Sequence, residues 1–381
     1  MEQGANCVPR PRPVANTINN FLIELGFRAS SADCNLFTKE SVILLLYVDD
    51  IIIIDSDKDS IRGAEVKALL STMYKMTSLG ITQRFLSIDI EINREGISLP
   101  QGQYIHAILE RFQMEAAHDA RSPMDPNVPL DNTNCEHKPA NKDLYLSIVG
   151  SPMYAALATR PDISFCVTTL SRYNHASLQM HLTTAKHVLR YLKHTRSLQL
   201  HYSRESAGSL MGFTDSDWAG RIADRKSVGG CIFFSTCDKE GSPSGPILWQ
   251  VKTQSGVALS TLKAEYIACS DATREAIWLA RLEADILATI EPGQTTQPVP
   301  IASDNQRALK LIHTGIVRQQ TKHIAVNYHH SHDEERKGSV RFHYVHTSDN
   351  AADILTKPLP MPGHQRLTHL IGIRQPTIEP K

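Results

Sequence analysis

Apolar residues occur along the chain in two kinds of pattern. The segment 42–54 contains two runs rich in β-branched residues that meet at Asp49 and Asp50. Runs of this kind predict two buried strands, and the polar break between them predicts a hairpin turn. Residues 84–99 alternate with a period of two and predict a further strand pair. Amphipathic spacing predicts helices at 15–25, 58–77 and 104–112.

The second half of the chain combines strands with long helices. Helices are predicted at 143–158, 162–195, 261–288, 305–313, 321–336 and 350–356. Strands are predicted at 200–203, 209–215, 228–235, 246–251, 255–260, 298–303 and 339–346. This order of strands, helix, strand and helices is typical of an α/β layer fold with a mixed sheet.

Composition adds little about partners but limits the class of protein. The 381 residues include 40 Lys and Arg against 40 Asp and Glu, so any nucleic-acid surface must come from a local patch. The basic side of helix 162–195, with Lys186, Arg190 and Lys193, is the candidate. Seven Cys without a Cys-x-x-Cys pair favour reduced thiols. We expect an intracellular protein, in the cytoplasm or nucleus, with no membrane span.

Asp49 and Asp50 are the first candidate metal ligands. Uncompensated charge beside an apolar core is costly unless it is paired or holds a cation. Adjacent carboxylates at a turn suit Mg²⁺, which prefers oxygen ligands. The alternative is an Asp-rich turn that needs no ion.

Four further acids form a second candidate centre in the C-terminal half. Asp215 lies in an apolar strand, and Glu265 lies on the apolar stripe of helix 261–288. A buried glutamate requires a partner such as a cation or an arginine. Asp304 closes strand 298–303, and Asp353 follows strand 339–346. Acids on successive elements predict a two-metal site that hydrolyses a phosphodiester.

Each of these acids also has a structural interpretation. Asp304 suits the N-cap of the helix that follows it. Asp353 suits a first-turn acid that offsets a helix dipole, while Asp217 simply flanks Asp215. The cluster His323, His329, His330 and His332 lacks Cys partners and finger spacing, so we expect no zinc.

Several motifs together resemble a known family. They are the Tyr-Val-Asp-Asp box at 47–50 and the segments 108–114, 147–153, 158–163, 188–195, 213–234, 258–268, 303–308, 322–324 and 352–359. In order and spacing they resemble the reverse transcriptase, connection and RNase H regions of copia-type LTR retrotransposon Pol polyproteins. The resemblance extends from about residue 16 to 373.

The resemblance implies a multidomain α+β and α/β fold. A partial reverse-transcriptase palm and thumb or connection would precede an RNase H-like mixed five-stranded sheet with flanking helices. The implied divisions are a disordered start at 1–15, a truncated reverse transcriptase at 16–124, a linker at 125–142, a helical connection at 143–199, an RNase H-like domain at 200–373 and a tail at 374–381.

The resemblance also implies roles for the acids. Asp215, Glu265, Asp304 and Asp353 would hold two Mg²⁺ ions and cleave the RNA strand of an RNA–DNA hybrid. Asp49 and Asp50 would be an incomplete polymerase Mg²⁺ site. His346 stands where related nucleases keep a mobile histidine for proton transfer or product release, but a lone histidine at a strand end is also often structural. Partners would be the hybrid and the rest of a Pol polyprotein.

Departures from the family pattern leave an alternative open. The chain has no room before Asp49 for the fingers and the first palm strand with its metal-binding Asp, so we do not expect polymerase activity. Ser87 stands where the family usually has Gly, and Lys263 where it usually has Glu. The alternative is a catalytically dead relic that only binds nucleic acid.

Overall fold

The computed structural model describes residues 13–56, 61–128, 130–131, 138–204, 210–220, 224–235, 244–290, 293, 297–315 and 329–376. The chain divides into two compact units. The N-terminal unit comprises Met1–Phe85 and Ile277–Gln297, and the C-terminal unit comprises Leu86–Ala276 and Pro298–Lys381. No helix in these described ranges is long and apolar enough to cross a membrane.

Helices and strands follow one another along both units. The described α-helices are α1 (Pro13–Glu24), α2 (Arg62–Met73), α3 (Gly102–Arg111), α4 (Lys142–Ala158), α5 (Ser164–Ser171), α6 (Gln179–His194), α7 (Thr261–Ile290), α8 (Gln306–Thr314), α9 (His330–Lys337) and α10 (Met361–Leu370). Short 3-10 helices span Pro161–Ile163, Thr347–Asp349 and Ala351–Leu355.

The described strands are β1 (Arg28–Ala29), β2 (Leu36–Lys39), β3 (Val42–Tyr47), β4 (Asp50–Asp55), β5 (Arg84–Phe85), β6 (Ile88–Asp89), β7 (Glu91–Ile92), β8 (Gly96–Pro100), β9 (Gln199–Ser203), β10 (Met211–Asp217), β11 (Val228–Phe234), β12 (Pro246–Thr253), β13 (Val299–Ser303), β14 (Val340–Tyr344) and β15 (Ile373–Arg374).

The N-terminal unit contains an antiparallel sheet in the order β1-β2-β3-β4. Strands β3 and β4 pair from Val42↔Asp55 to Tyr47↔Asp50, which confirms the predicted hairpin. Helix α1 ends before Gly26, whose φ of 87° is accessible to glycine at little cost. The apolar faces of these elements enclose a small core that includes Leu22 and Leu44.

Helix α2 is shorter than the predicted helix at 58–77. Val66 and Leu70 are buried as the amphipathic pattern indicated, but Ile61 and Leu69 are exposed. The buried stripe is therefore narrower than the sequence suggested. Residues 57–60 lie outside the described residues.

A mixed sheet forms the centre of the C-terminal unit, as the sequence predicted. Its strand order is β12-β11-β10-β13-β14. Strands β10, β11 and β12 are antiparallel neighbours, whereas β10, β13 and β14 are parallel neighbours. Parallel pairing places the carboxyl ends of β10 and β13 at the same edge of the sheet.

One strand prediction in this half was wrong. Residues 255–260 form no strand but connect β12 to α7. Gln254, directly after β12, is buried, and its side-chain amide donates to the Ala264 carbonyl in α7 at 2.8 Å. The predicted strand at 200–203 is confirmed as β9, which belongs to a separate sheet of order β15-β9-β8-β7. The predicted strand pair at 84–99 is divided into four short strands, and Leu86 and Ser87 between β5 and β6 have positive φ.

The predicted helix at 162–195 is interrupted. It divides into the 3-10 turn Pro161–Ile163, α5 and α6. Leu178 adopts an extended conformation before α6 and forms a β-bridge with Pro139, which a continuous helix would not permit.

A buried ion pair stabilises the helical layer of the C-terminal unit. The Arg160 guanidinium donates to both carboxylate oxygens of Asp162, at 2.9 and 2.7 Å, and to the Thr195 hydroxyl at 2.8 Å. The Tyr191 hydroxyl also donates to Asp162, at 2.7 Å. Burial alone would raise the pKa of Asp162, but the adjacent guanidinium outweighs that effect and holds the pKa below its usual value. The pair ties the Pro161–Ile163 turn to α6.

We predict that Arg160→Met destabilises the protein by about 3–5 kcal/mol, because the substitution leaves the Asp162 charge buried without its partner. Denaturant unfolding followed by circular dichroism measures the change. The matched control is Arg366→Met, which breaks an exposed ion pair with Asp349 and should cost less than about 1 kcal/mol. Equal losses in the two variants would contradict the structural role of the buried pair.

Candidate metal centre

Strand register brings Asp215 and Asp304 to the same edge of the mixed sheet. In the parallel pair, Phe213 lies opposite Ala302. Asp215 and Asp304 each follow these paired residues by two positions, so their side chains share a face at the carboxyl ends of β10 and β13. Asp215 is 3% exposed, while Asp304 is half-buried at the rim.

Glu265 reaches the same edge from α7. It lies on the buried face of the helix, where Cys269, Ala272 and Ala276 are completely buried. These small side chains suit close packing of a helix on a sheet, so the register of α7 places Glu265 in the interior beside the strand ends. Glu265 is itself only 4% exposed.

The fourth acid, Asp353, arrives on the 3-10 segment Ala351–Leu355. Buried Asn350 caps this segment and donates its amide to the Thr214 carbonyl of β10 at 3.1 Å. Gly230, which pairs with Asp215 on β11, permits the approach, because a Cβ there would lie 2.9 Å from Leu355 Cβ and from Thr356 Cγ2. The C-terminal segment is therefore held directly against the central strand.

These contacts produce a compact acidic cluster. One carboxylate oxygen from each of Asp215, Glu265 and Asp304 lies within 4.8 Å of the others. Glu265 Oε2 and Asp353 Oδ1 are buried and have no hydrogen-bond partner among the described residues. Buried carboxylate oxygens without donors, close to other carboxylates, fit a hard divalent cation.

Burial and repulsion between neighbouring carboxylates also raise the pKa values of the acids in this cluster. Burial and the nearby Asp215 and Asp304 charges raise the pKa of Glu265 well above its usual value. Burial, and to a smaller extent the Asp215 charge, raises the pKa of Asp353 to about 7. Burial also raises the pKa of Asp215, although Lys357 and the Thr356 hydroxyl oppose the increase. The folded chain therefore favours protons or cations at this site.

The structural alternatives for Asp304 and Asp353 can now be judged. The N-cap of α8 is Asn305, whose side chain accepts from the Ala308 amide at 3.0 Å, so Asp304 does not cap the helix. Asp304 instead accepts from the Thr347 hydroxyl at 2.7 Å. Asp353 does lie in a first turn, but it is buried and paired with Lys357 at 2.9 Å. Its environment differs from that of an exposed dipole-stabilising acid.

Thr356 and Lys357 are the site residues that sequence reasoning missed. The Thr356 hydroxyl donates to Asp215 Oδ2, and the Lys357 ammonium lies beside Asp353 and Asp215. The spacing of four residues between Asp353 and Lys357 is that of an ion pair within one helical turn, and it is visible in the sequence. Their approach to Asp215 depends on the tertiary fold.

His346 is exposed and caps the turn Thr347–Asp349. Its Nδ1 accepts from the Ser348 backbone amide at 3.2 Å. The neighbouring residue Thr347 contacts Asp304, which places His346 near the rim of the cluster. A structural role for His346 is therefore evident, and its role in proton transfer stays a prediction.

The other candidate residues do not join this centre. Asp49 and Asp50 are exposed at the end of the β3–β4 hairpin, and neither belongs to a group of three or more metal-ligand side chains in the described ranges. Their exposure removes the argument that burial forces them to hold an ion.

The basic residues of α6 differ in their surroundings. Lys186 is exposed, whereas Lys193 donates to the Ala117 carbonyl at 2.7 Å and pairs with Asp119 at 3.2 Å. Arg190 hydrogen-bonds His187 at 2.9 Å. Their role in nucleic-acid binding stays a prediction, and Lys186 is the residue best placed for it.

The histidines considered for zinc have separate partners. His329 Nδ1 lies 3.2 Å from the Tyr266 hydroxyl, His330 lies 3.8 Å from Glu334, and His332 Nδ1 lies 2.5 Å from the Ile312 carbonyl. His323 lies outside the described residues.

Comparisons with known proteins relate the chain to transposons. A family model described as "Reverse transcriptase (RNA-dependent DNA polymerase)" matches residues 10–126. The retrovirus-related Pol polyprotein from transposon TNT 1-94 of Nicotiana tabacum is 35% identical over 339 residues, covering 87% of this chain and 24% of that protein. The putative transposon Ty5-1 protein of Saccharomyces cerevisiae is 31% identical over 268 residues, covering 68% of this chain and 82% of that protein. The chain thus spans about a quarter of the plant polyprotein it matches.

A comparison with solved structures matches the chain to RNase H1 from the archaeon Halobacterium salinarum. The match covers 39% of this chain and 95% of that chain, with 17% identity and a TM-score of 0.26.

We predict that Glu265→Gln stabilises the metal-free protein increasingly as the pH rises. The raised pKa of Glu265 means that the folded state holds a proton which the unfolded state loses near pH 4.5. Wild type therefore loses stability as the pH rises through the folded pKa, and the glutamine variant does not. The variant should exceed wild type by at least about 1.4 kcal/mol at pH 8, and by less at pH 5.

Denaturant unfolding in EDTA at pH 5 and pH 8 measures this difference. The matched control is Glu65→Gln, which changes an exposed carboxylate on α2 and should follow wild type. A Glu265→Gln protein that is equally destabilised at both pH values would show that Glu265 is not under electrostatic strain.

Proposed function

Since the chain belongs to the family of Pol polyproteins of copia-type retrotransposons, we propose that its C-terminal half is a magnesium-dependent RNase H that cleaves the RNA strand of an RNA–DNA hybrid. The observation that carries this proposal is the convergence of Asp215, Glu265 and Asp304 within 4.8 Å, with Asp353 beside them. The hybrid and the rest of a Pol polyprotein are the proposed partners.

The four acids suit hydrolysis of a phosphodiester. Bound Mg²⁺ would lower the pKa of a water molecule and offset charge on the leaving oxygen. Asp215, Glu265 and Asp304 would hold one ion, and Asp215 and Asp353 would hold a second. The chain contributes orientation, since Asn350 and Gly230 position the Asp353 segment and the sheet register fixes Asp215 beside Asp304.

The acidic cluster favours nuclease rather than polymerase activity for this chain. Asp49 and Asp50 supply two exposed carboxylates at a hairpin end. The C-terminal cluster supplies four acids, of which Asp215, Glu265 and Asp353 are buried. Buried acids cost free energy that a bound cation recovers, so the C-terminal cluster has the stronger need for metal.

The second candidate is binding of the hybrid without cleavage. The observation that favours it is the Lys357 ammonium, which already pairs with Asp353 inside the acidic cluster. Exposed Lys186 on α6 would contribute to a salt-sensitive contact with phosphates.

We predict that Asp304→Asn lowers the rate of hybrid cleavage in Mg²⁺ by at least about 100-fold, because it removes one proposed ligand oxygen charge without changing side-chain size. Gel analysis of a hybrid labelled on its RNA strand measures the rate. The matched control is Asp143→Asn at the exposed start of α4, which should cleave like wild type.

Equal cleavage by wild type and Asp304→Asn would contradict the proposed site. Hybrid binding by wild type without any cleavage in Mg²⁺ or Mn²⁺ would instead support the binding-only candidate.

A further inference from the structure

The Lys357 side chain enters the acidic cluster from the C-terminal segment. Its Nζ lies 2.9 Å from Asp353 Oδ2 and 3.7 Å from Asp215 Oδ2. The ammonium group thus lies between Asp353 and Asp215. Of these two acids, only Asp215 belongs to the cluster of Asp215, Glu265 and Asp304. The Lys357 ammonium therefore lies next to the proposed metal position among Asp215, Glu265 and Asp304.

Several features hold Lys357 there. Thr356, the preceding residue, donates its hydroxyl to the same Oδ2 of Asp215. A lysine ammonium is charged at neutral pH, and this one is positioned by the same segment that carries Asp353.

The lysine is also able to leave. Its side chain is 32% exposed, whereas the side chains of Asp215 and Asp353 are 4% and 7% exposed. A flexible four-carbon stem allows the ammonium to move towards solvent while its backbone stays in place. A divalent ion bound by the same two carboxylates would repel the ammonium at this range.

We infer that Lys357 occupies the cation position between Asp215 and Asp353. The free chain then binds one divalent ion among Asp215, Glu265 and Asp304. A second ion binds only when the lysine side chain moves away. This inference rests on the proposed metal-dependent function for the identity of the ions. Lys357 is then a positioning residue that sets the order and the affinity of metal binding.

Binding of Mn²⁺ to the full chain without nucleic acid tests this order. The EPR signal of free Mn²⁺ gives the number and affinity of bound ions. Wild type should bind one ion, with a second at least tenfold weaker. Lys357→Met should tighten the second ion at least tenfold, equivalent to about 1.4 kcal/mol. Lys357→Arg retains the charge and should behave like wild type.

The matched control is Lys252→Met, which removes a lysine that pairs with Asp271 at 3.2 Å outside the cluster. It should leave the Mn²⁺ isotherm unchanged. Coincident isotherms for wild type and a folded Lys357→Met protein would overturn the inference.

Chemical labelling of wild type provides a test that needs no variant. Acetic anhydride acetylates exposed amines, and mass spectrometry reports the rate at each lysine. Added Mn²⁺ should accelerate acetylation of Lys357 at least threefold and leave Lys252 unchanged. A Lys357 rate that does not increase with Mn²⁺ would contradict displacement of the lysine.

Hybrid cleavage measured on the same preparations separates this inference from the proposed function. A tighter second ion in Lys357→Met without cleavage by any protein would support the lysine inference and reject the nuclease. Cleavage by wild type with coincident isotherms would support the nuclease and reject the role of Lys357.

Discussion

Repulsion among carboxylates at one edge of the mixed sheet is the constraint on which the C-terminal unit depends. Asp215 and Glu265 are almost completely buried. Burial and the nearby Asp304 charge raise the pKa of Asp215, and burial with the Asp215 and Asp304 charges raises the pKa of Glu265. The chain accepts this cost where strand ends, a helix face and a 3-10 segment meet. A protein gains nothing in stability from such an arrangement unless protons or cations occupy it. The proposed metal site accounts for the tertiary contacts that assemble the cluster.

The same unit shows how buried charge is stabilised when no ion is needed. Both carboxylate oxygens of Asp162 accept hydrogen bonds, from the Arg160 guanidinium and the Tyr191 hydroxyl, and the pKa of Asp162 is lowered. Glu265, by contrast, keeps one buried oxygen without a donor in the described structure. Asp162 thus belongs to an ion pair that stabilises the helical layer, whereas Glu265 belongs to the proposed metal site. Lys357 partly supplies that cation from within the chain.

Local sequence patterns predicted the position of Glu265 because small residues at helical spacing define the buried stripe of α7. The β3–β4 hairpin and the mixed sheet followed from apolar runs in the same way. Patterns could not show that Asn305 rather than Asp304 caps α8, since both residue types suit an N-cap. They also missed Lys357, whose contact with Asp215 depends on the close approach that Gly230 allows. The false strand at 255–260 reflects a side-chain bond from Gln254 that no local pattern contains.

The Tyr-Val-Asp-Asp hairpin indicates the family of the chain, whereas the acidic cluster indicates its proposed chemistry. The hairpin lies within the region that matches the reverse transcriptase family model, yet Asp49 and Asp50 are exposed. The cluster assembled from four distant segments is where metal chemistry would take place. Crystals soaked in Mn²⁺ and measured for anomalous scattering test this most directly. We expect an anomalous peak bounded by Asp215, Glu265 and Asp304; a fully occupied Mn²⁺ elsewhere on the chain, with no peak among these three carboxylates, would contradict the account.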